Sequence, residues 1–253
     1  MNTAIITGAS EGFGRELAVA AAKQFPEIES FWLIARSEDK LRETAAMLPD
    51  DVEPHILPLD LCQDESFDML VRLLDTVKPN VTLLVNNAGC GYLGNVGDGP
   101  LDHQVRMVDL NVRSLTAVTH LVLPYMEEGA RVVNISSIAA FGPNPRMTVY
   151  SASKAYVTAF TQGIGYELRD YGITTTAVCP GPMETNFIYS GGIKGNSETF
   201  EKLPYCNPVQ VARGAMAAAA RGKAVYTPKM FYRFFRFVAK ILPHSLVMHM
   251  SKT

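Results

Sequence analysis

Tyr150 and Lys154 stand four residues apart in Tyr150-Ser151-Ala152-Ser153-Lys154, a spacing that puts both side chains on one face of a helix. A phenol with a pKa of about 10 exchanges protons poorly at neutral pH. A nearby ammonium favours phenolate and lowers that pKa, and the same lysine can hold a ribose hydroxyl. Ser137 precedes Tyr150 by 13 residues, just beyond the apolar run Arg131–Ile135, where its hydroxyl can hydrogen-bond a substrate oxygen. Asn111, inside a long expected helix, can hold a water between the lysine and solvent.

A second set of residues suits a dinucleotide. Thr7-Gly8-Ala9-Ser10-Glu11-Gly12-Phe13-Gly14 follows the first apolar run and leads into a helical stretch. Glycines let the backbone turn sharply and approach a pyrophosphate, and a helix N-terminus offers it free N–H groups. The spacing Gly-x3-Gly-x-Gly differs from the GxGxxG fingerprint. The second run ends Trp32-Leu33-Ile34-Ala35-Arg36-Ser37. An NAD site wants an acid there for the ribose 2′-hydroxyl, and an NADP site a cation for the 2′-phosphate. Ala35 replaces the acid and Arg36 follows, so NADP(H) is expected in preference to NAD(H). Ser10 and Ser37 add hydroxyl donors. Asp60, ending the third run, either meets the adenine amino group or caps the next helix.

The elements that must position these groups follow from the apolar pattern. Strands are expected over Thr3–Thr7, Phe31–Ala35, Glu53–Leu59, Thr82–Asn86, Arg131–Ile135, Thr174–Cys179 and Ala224–Tyr226. Helices are expected near Phe13–Phe25, Ser37–Met47, Glu65–Val77, Leu101–Met126, Tyr150–Tyr171 and Pro208–Arg221. Several strands are continuous apolar runs, as in a parallel sheet covered on both faces. Strict alternation of strand and helix predicts a Rossmann-type α/β fold, a doubly wound, mostly parallel seven-stranded sheet with helices on both faces, forming one domain over residues 1–228. Ligands of such sheets lie beyond the carboxyl ends of the strands, where the motifs above fall.

With TGASEGFG, Asn86-Asn87-Ala88-Gly89, Asn111, Ser136-Ser137, YSASK and Pro180-Gly181-Pro182-Met183-Glu184-Thr185 in that order, the chain resembles the short-chain dehydrogenase/reductase family in its single-domain branch. The resemblance implies hydride transfer between NADP(H) and a carbonyl or alcohol. It makes Tyr150 the general acid–base, Ser137 the residue that positions the carbonyl, Lys154 the group that tunes Tyr150, and Asn111 the end of a proton relay. It places Asn87, Ala88 and Gly89 along the ribose side of the cofactor. The backbone after Pro180, with Gly181, and the Thr185 hydroxyl then hold the carboxamide. It also implies a homodimer or homotetramer built on the long helices. The competing reading is a non-catalytic NADP(H)-binding sensor or scaffold with the same fold, which would be expected to have lost Tyr150, Lys154 or Ser137.

Candidate substrate walls are Cys90, Gly91 and Tyr92, residues 138–147, and the segment 183–204. Their mostly apolar side chains (Tyr92, Phe141, Met147, Met183, Phe187, Ile188 and Tyr189) point to a hydrophobic ketone, acyl or steroid-like substrate. Residues 190–196 read as a lid hinge or an ordinary surface loop.

Apolar residues at 47% and charged residues at 19% exclude a disordered chain. No basic leader precedes the first strand, so no signal peptide is expected. The four cysteines form no CxxC pair, so no metal site or disulfide framework is expected and a reducing cytoplasm fits. The charge is unevenly spread. Every acid lies at or before Glu201, and the last 52 residues carry nine Lys or Arg, so they hold +9 against −11 for the rest. Residues 229–253 are expected to form a basic amphipathic helical extension that covers the cleft, packs on a partner subunit or lies on a membrane surface. With an acidic body and no reader motif, nucleic acid is not an expected partner.

Overall fold

The computed structural model describes residues 1–250; the last residues of the C-terminal extension, 251–253, lie outside the described residues. Seven strands form one sheet: β1 Asn2–Thr7, β2 Ser30–Ala35, β3 Glu53–Pro58, β4 Asn80–Asn86, β5 Arg131–Ile135, β6 Thr174–Val178 and β7 Val225–Tyr226. Their order is β3-β2-β1-β4-β5-β6-β7, and every pairing is parallel. The chain winds outward from β1 to β3, then crosses back to β4 on the other side of β1. That reversal opens a crevice beyond the ends of β1 and β4, where a doubly wound sheet binds its ligand.

Residues alternate between the faces of a strand, so a sheet buried on both sides needs apolar side chains at every position. Strand β1 shows this directly. Ala4 and Ile6 join a core beneath α1 (Gly12–Gln24) and α9 (Pro208–Ala220). Ile5, with Trp32 and Ile34 of β2, enters the opposite core beneath α3 (Asp64–Val77), α5 (Ser114–Val122) and α6 (Thr148–Glu167). A third cluster, with Leu93, Met107, Met147, Tyr150, Ile188 and Ile193 at its centre, lies next to the crevice.

Helix α2 (Glu38–Ala45) follows β2. The long helix expected over Leu101–Met126 is instead segmented. Helix α4 (Leu101–Val108) runs into a π-turn at Asp109–Arg113, then α5, then a 3₁₀ turn at Leu123–Tyr125. Hydroxyls of Ser114, Thr116 and Thr119 donate back to carbonyls four residues earlier, and Pro124 lacks the N–H to continue the ladder. Two short helices, α7 (Asn186–Ser190) and α8 (Glu198–Lys202), occupy the segment expected to wall the substrate. The C-terminal extension forms α10 (Met230–Ile241) and α11 (His244–Met250), with Pro243 between them as the break expected of a residue that cannot donate. Tyr232 of α10 is wholly buried in the α1/α9 core.

Candidate active site

The glycine loop closes by backbone contact. The N–H groups of Gly8 and Ala9 donate to the Ile34 carbonyl at 2.7 and 3.3 Å, which ties the loop to the end of β2. Gly8 adopts φ +66°, a region that glycine enters freely. A Cβ on Gly14 would lie 1.9 Å from the Gly8 carbonyl oxygen and 2.6 Å from the Asn87 side chain. Only a bare backbone fits there, so α1 starts hard against the loop, and Gly12, Phe13 and Gly14 of its first turn line the crevice, where a phosphate could meet the helix N-terminus. Asn87 fixes the loop from the next strand, its amide donating to the carbonyls of Thr7 and Gly8 at 3.2 and 3.0 Å. The Thr7 hydroxyl accepts from the N–H groups of Asn87 and Ala88, both at 3.0 Å.

At the end of β2, Arg36 is exposed, lines the crevice and makes no ion pair among the described residues. Ser10 and Ser37 line the same end. Lys40, one helical turn beyond Ser37, also faces the crevice and holds Glu11 at 2.5 Å. Asp60 turns its carboxylate onto the Cys62 N–H at 3.1 Å and lies 3.7 Å from Arg106. It forms a local turn before α3, whose N-cap position is Gln63. Lys40 and Arg106 carry no motif, and only the fold brings them to the site.

The proton-handling groups meet at the other end. Tyr150 enters on the first turn of α6, and Ser137 follows two residues after β5, so both side chains line the crevice side by side. Ser137 also accepts from the Ala139 N–H at 3.1 Å. Lys154, one turn after Tyr150, sends its ammonium to the Ile135 carbonyl at 2.9 Å and lies 5.8 Å from the centre of the Tyr150 ring. Both groups are buried, and burial disfavours charge. It pushes the phenol up to about 12, against the pull of the Ser137 hydrogen bond. It pushes the ammonium down to about 8. Burial and not the lysine therefore governs the phenol, which is raised where the sequence predicts a lowering, so Tyr150 keeps its proton at neutral pH.

Asn111 sits in the π-turn, a distortion common at functional sites. Its carbonyl oxygen accepts from the Cys90 N–H at 2.9 Å, and its amide donates to the Cys90 carbonyl and the Ser153 hydroxyl at 2.9 and 3.0 Å. A Cβ on Gly89 would come within 2.9 Å of Asn111 and 3.4 Å of Lys154. The side chain thus anchors the Cys90 backbone beside the lysine.

Both ends belong to one crevice of about 800 Å³. Gly12, Phe13, Ala88, Gly89, Pro180, Gly181 and Thr185 line its length. Its apolar end is walled by Met147, Met183, Phe187 and Ile188, with Phe200 and Leu203 behind them. The Phe187 ring packs against Tyr150, centroids 5.5 Å apart. Three candidate wall residues lie elsewhere. Tyr92 packs on His103, Phe141 packs against Phe235, and Tyr189 is exposed and donates to Glu184. In their place, Phe231, Tyr232 and Phe235 of α10 complete the wall, so part of the extension covers the cleft. Phe231 and Phe235 belong to the apolar side of the amphipathic extension, and Tyr232 carries no motif at all.

A nucleotide cradle and a proton donor facing one crevice narrow the field to enzymes that work on a bound dinucleotide, and comparison with known proteins agrees. The family model for short chain dehydrogenases matches residues 2–190. Sulfoacetaldehyde reductase 2 of Chromohalobacter salexigens is 37% identical over 77% of this chain and 78% of its own. The very-long-chain 3-oxoacyl-CoA reductase of Anas platyrhynchos is 31% identical over 98% of this chain and 78% of its own. A short-chain dehydrogenase from Sphingobium yanoikuyae, solved in complex with NADPH, superposes with a TM-score of 0.80 at 26% identity, covering 95% of this chain and 93% of that one. The chain belongs to the short-chain dehydrogenase/reductase family of oxidoreductases acting on carbonyl or alcohol groups.

Proposed function

We propose that the protein is an NADP(H)-dependent carbonyl reductase of a hydrophobic ketone, acyl or steroid-like substrate. The observation that carries this reading is the single crevice, with Arg36 and the glycine cradle at one end and Tyr150, Ser137 and Lys154 at the other. Gly8, Gly12, Phe13 and Gly14 would hold the pyrophosphate, Arg36 and Ser10 the 2′-phosphate, and Asp60 the adenine end. Asn87, Ala88, Gly89, Tyr150 and Lys154 would hold the ribose side, and Pro180, Gly181 and Thr185 the carboxamide. When bound, the nicotinamide supplies the hydride. Ser137 and Tyr150 hydrogen-bond the carbonyl oxygen and stabilise the negative charge that develops on it. The Tyr150 hydroxyl then gives its proton to that oxygen. Lys154 keeps positive charge beside the phenol as it becomes phenolate, and Asn111 holds the Cys90 backbone beside this pair. Retention of Tyr150, Lys154 and Ser137 on one crevice wall disfavours a purely binding role.

The apolar walls favour a substrate with a large hydrocarbon part. The name of the Anas platyrhynchos relative supports a long acyl chain, whereas that of the Chromohalobacter salexigens relative supports a small, charged aldehyde; the apolar lining of Met147, Met183, Phe187 and Phe200 favours the former. Exposed Leu101, Val105 and Val108 on one side of α4 suit a homodimer or homotetramer, and we place the enzyme in the cytoplasm. Titrating the protein and its Arg36→Asp variant with NADPH and NADH tests the cofactor reading. NADPH should bind more tightly, and the substitution should erase the gap; tighter NADH binding by the unaltered protein overturns it.

A further inference from the structure

We propose that the outward face of α10 docks on an anionic phospholipid surface, setting the mouth of the crevice against the membrane. The inference rests on the surface of α10 alone and stands whether or not the carbonyl reading does. Helix α10 divides into three arcs. Tyr232 and Ala239 are buried against the body, with Phe235 beside them in the crevice wall. On the opposite side, Met230, Phe234, Phe237 and Ile241 recur at spacings of three and four and are 74%, 68%, 63% and 65% exposed. Such spacing keeps them on one face. The third arc is basic, with Arg233 and Lys240 exposed beside the apolar one.

Soluble proteins seldom leave so many large apolar side chains together on one exposed helix face without a partner. The charge pattern chooses the partner. The last 52 residues hold nine Lys or Arg and no acid, so the helix presents only cations around its apolar face. A symmetric contact with a second copy would set these cations against themselves, because a two-fold interface meets its own patch. An anionic bilayer complements them, and an apolar arc flanked by cations is the form of an interfacial helix. Among the described residues no helix is long and apolar enough to cross a membrane, so the contact is with the surface. Phe231 joins this surface to the site: it is 55% exposed and also lines the crevice, so an apolar ligand leaving the bilayer would meet the crevice at that ring.

The test is flotation of the whole chain with vesicles of phosphatidylcholine alone or mixed with phosphatidylglycerol. The protein should float with the mixed vesicles, remain behind with the neutral ones, and release as salt rises. Phe234→Asp with Phe237→Asp should abolish flotation while the folded circular-dichroism spectrum and melt persist, since both side chains are exposed and neither lines the crevice. Lys240→Gln should weaken partitioning about fivefold. Failure to float with anionic vesicles, or equal flotation of the double aspartate variant, overturns the proposal. So does light scattering that finds a dimer or tetramer which that variant splits, because the face then belongs to a second copy. Should the variant misfold, the lipid and salt dependence of the unaltered chain still decides.

Discussion

Replacing Lys154 by methionine should stabilise the protein at neutral pH while removing its activity. An ammonium that ordinarily titrates at 10.5 is pushed down by burial to about 8. At about 1.4 kcal/mol per tenfold change in proton affinity, holding the charged form at pH 7 costs the fold about 3 kcal/mol. Methionine has similar length and carries no charge, so the variant escapes that cost. It also loses the bond to the Ile135 carbonyl, and an orphaned buried acceptor costs about 1–2 kcal/mol. The net gain is about 1–2 kcal/mol, or a Tm higher by roughly 4 °C for a chain of this size. The pH dependence fixes the cause. Lysine with a lowered folded pKa penalises the native state below about 8. Between about 8 and 10.5 the folded protein sheds the proton that the unfolded chain retains, and the penalty disappears. Above that range the variant should be the less stable of the two by its lost hydrogen bond. Thermal unfolding of both proteins at pH 7 and pH 10 reads this directly. A variant less stable at pH 7, or a gap that does not shrink with rising pH, refutes the assignment of a strained, buried ammonium.

Three further outcomes follow from the same geometry. Tyr150→Phe should cut carbonyl reduction by about 10²–10⁴-fold, the usual scale for a lost proton donor, and a titration should show NADPH affinity reduced far less, since Lys154 remains to hold the ribose; an equal loss of both would refute a proton-donor role distinct from cofactor binding. Reductive turnover of the unaltered enzyme should hold up to about pH 8 and decline above it, as Lys154 loses its charge while Tyr150, raised to about 12, keeps its proton; a rate that climbs through that range would point to a different donor. Gly14→Ala should lower Tm and abolish nucleotide binding, since its Cβ would lie 1.9 Å from the Gly8 carbonyl oxygen and such overpacking costs about 1–3 kcal/mol or more; a variant binding NADPH normally would show that the cradle can open.

How far the sequence could be read depended on whether a residue's role is local. The strands declared themselves because both faces of the sheet are buried, so runs such as Phe31–Ile34 are apolar at every position. The glycine loop and the Tyr150–Lys154 pair were legible for a similar reason: one needs backbone room, and the other needs a single helical turn. Asn111 was legible as a residue but not as a geometry, since a π-turn leaves no periodic trace and its amide is spent on Cys90 and Ser153. Helices α7 and α8, five residues each, are too short to hold themselves by propensity, and tertiary contacts such as the Leu93 N–H to the Gly191 carbonyl fasten that segment.

Phe234 and Phe235 show where pattern ends. They are identical neighbours in one apolar stripe, yet Phe235 faces the crevice and Phe234 faces outward. Hydrophobicity alone puts both on one apolar face; which of them is covered depends on how Tyr232 seats the helix. A Cβ on Gly181 would fall 2.2 Å from the Tyr232 ring, and the Tyr232 hydroxyl donates to the Pro204 carbonyl at 2.9 Å. The Pro180-Gly181 turn thus both lines the crevice and seats the aromatic anchor that turns α10. A larger residue at 181 would move that anchor and redistribute the phenylalanines between crevice and surface, which couples this turn to the outer face of the last helices.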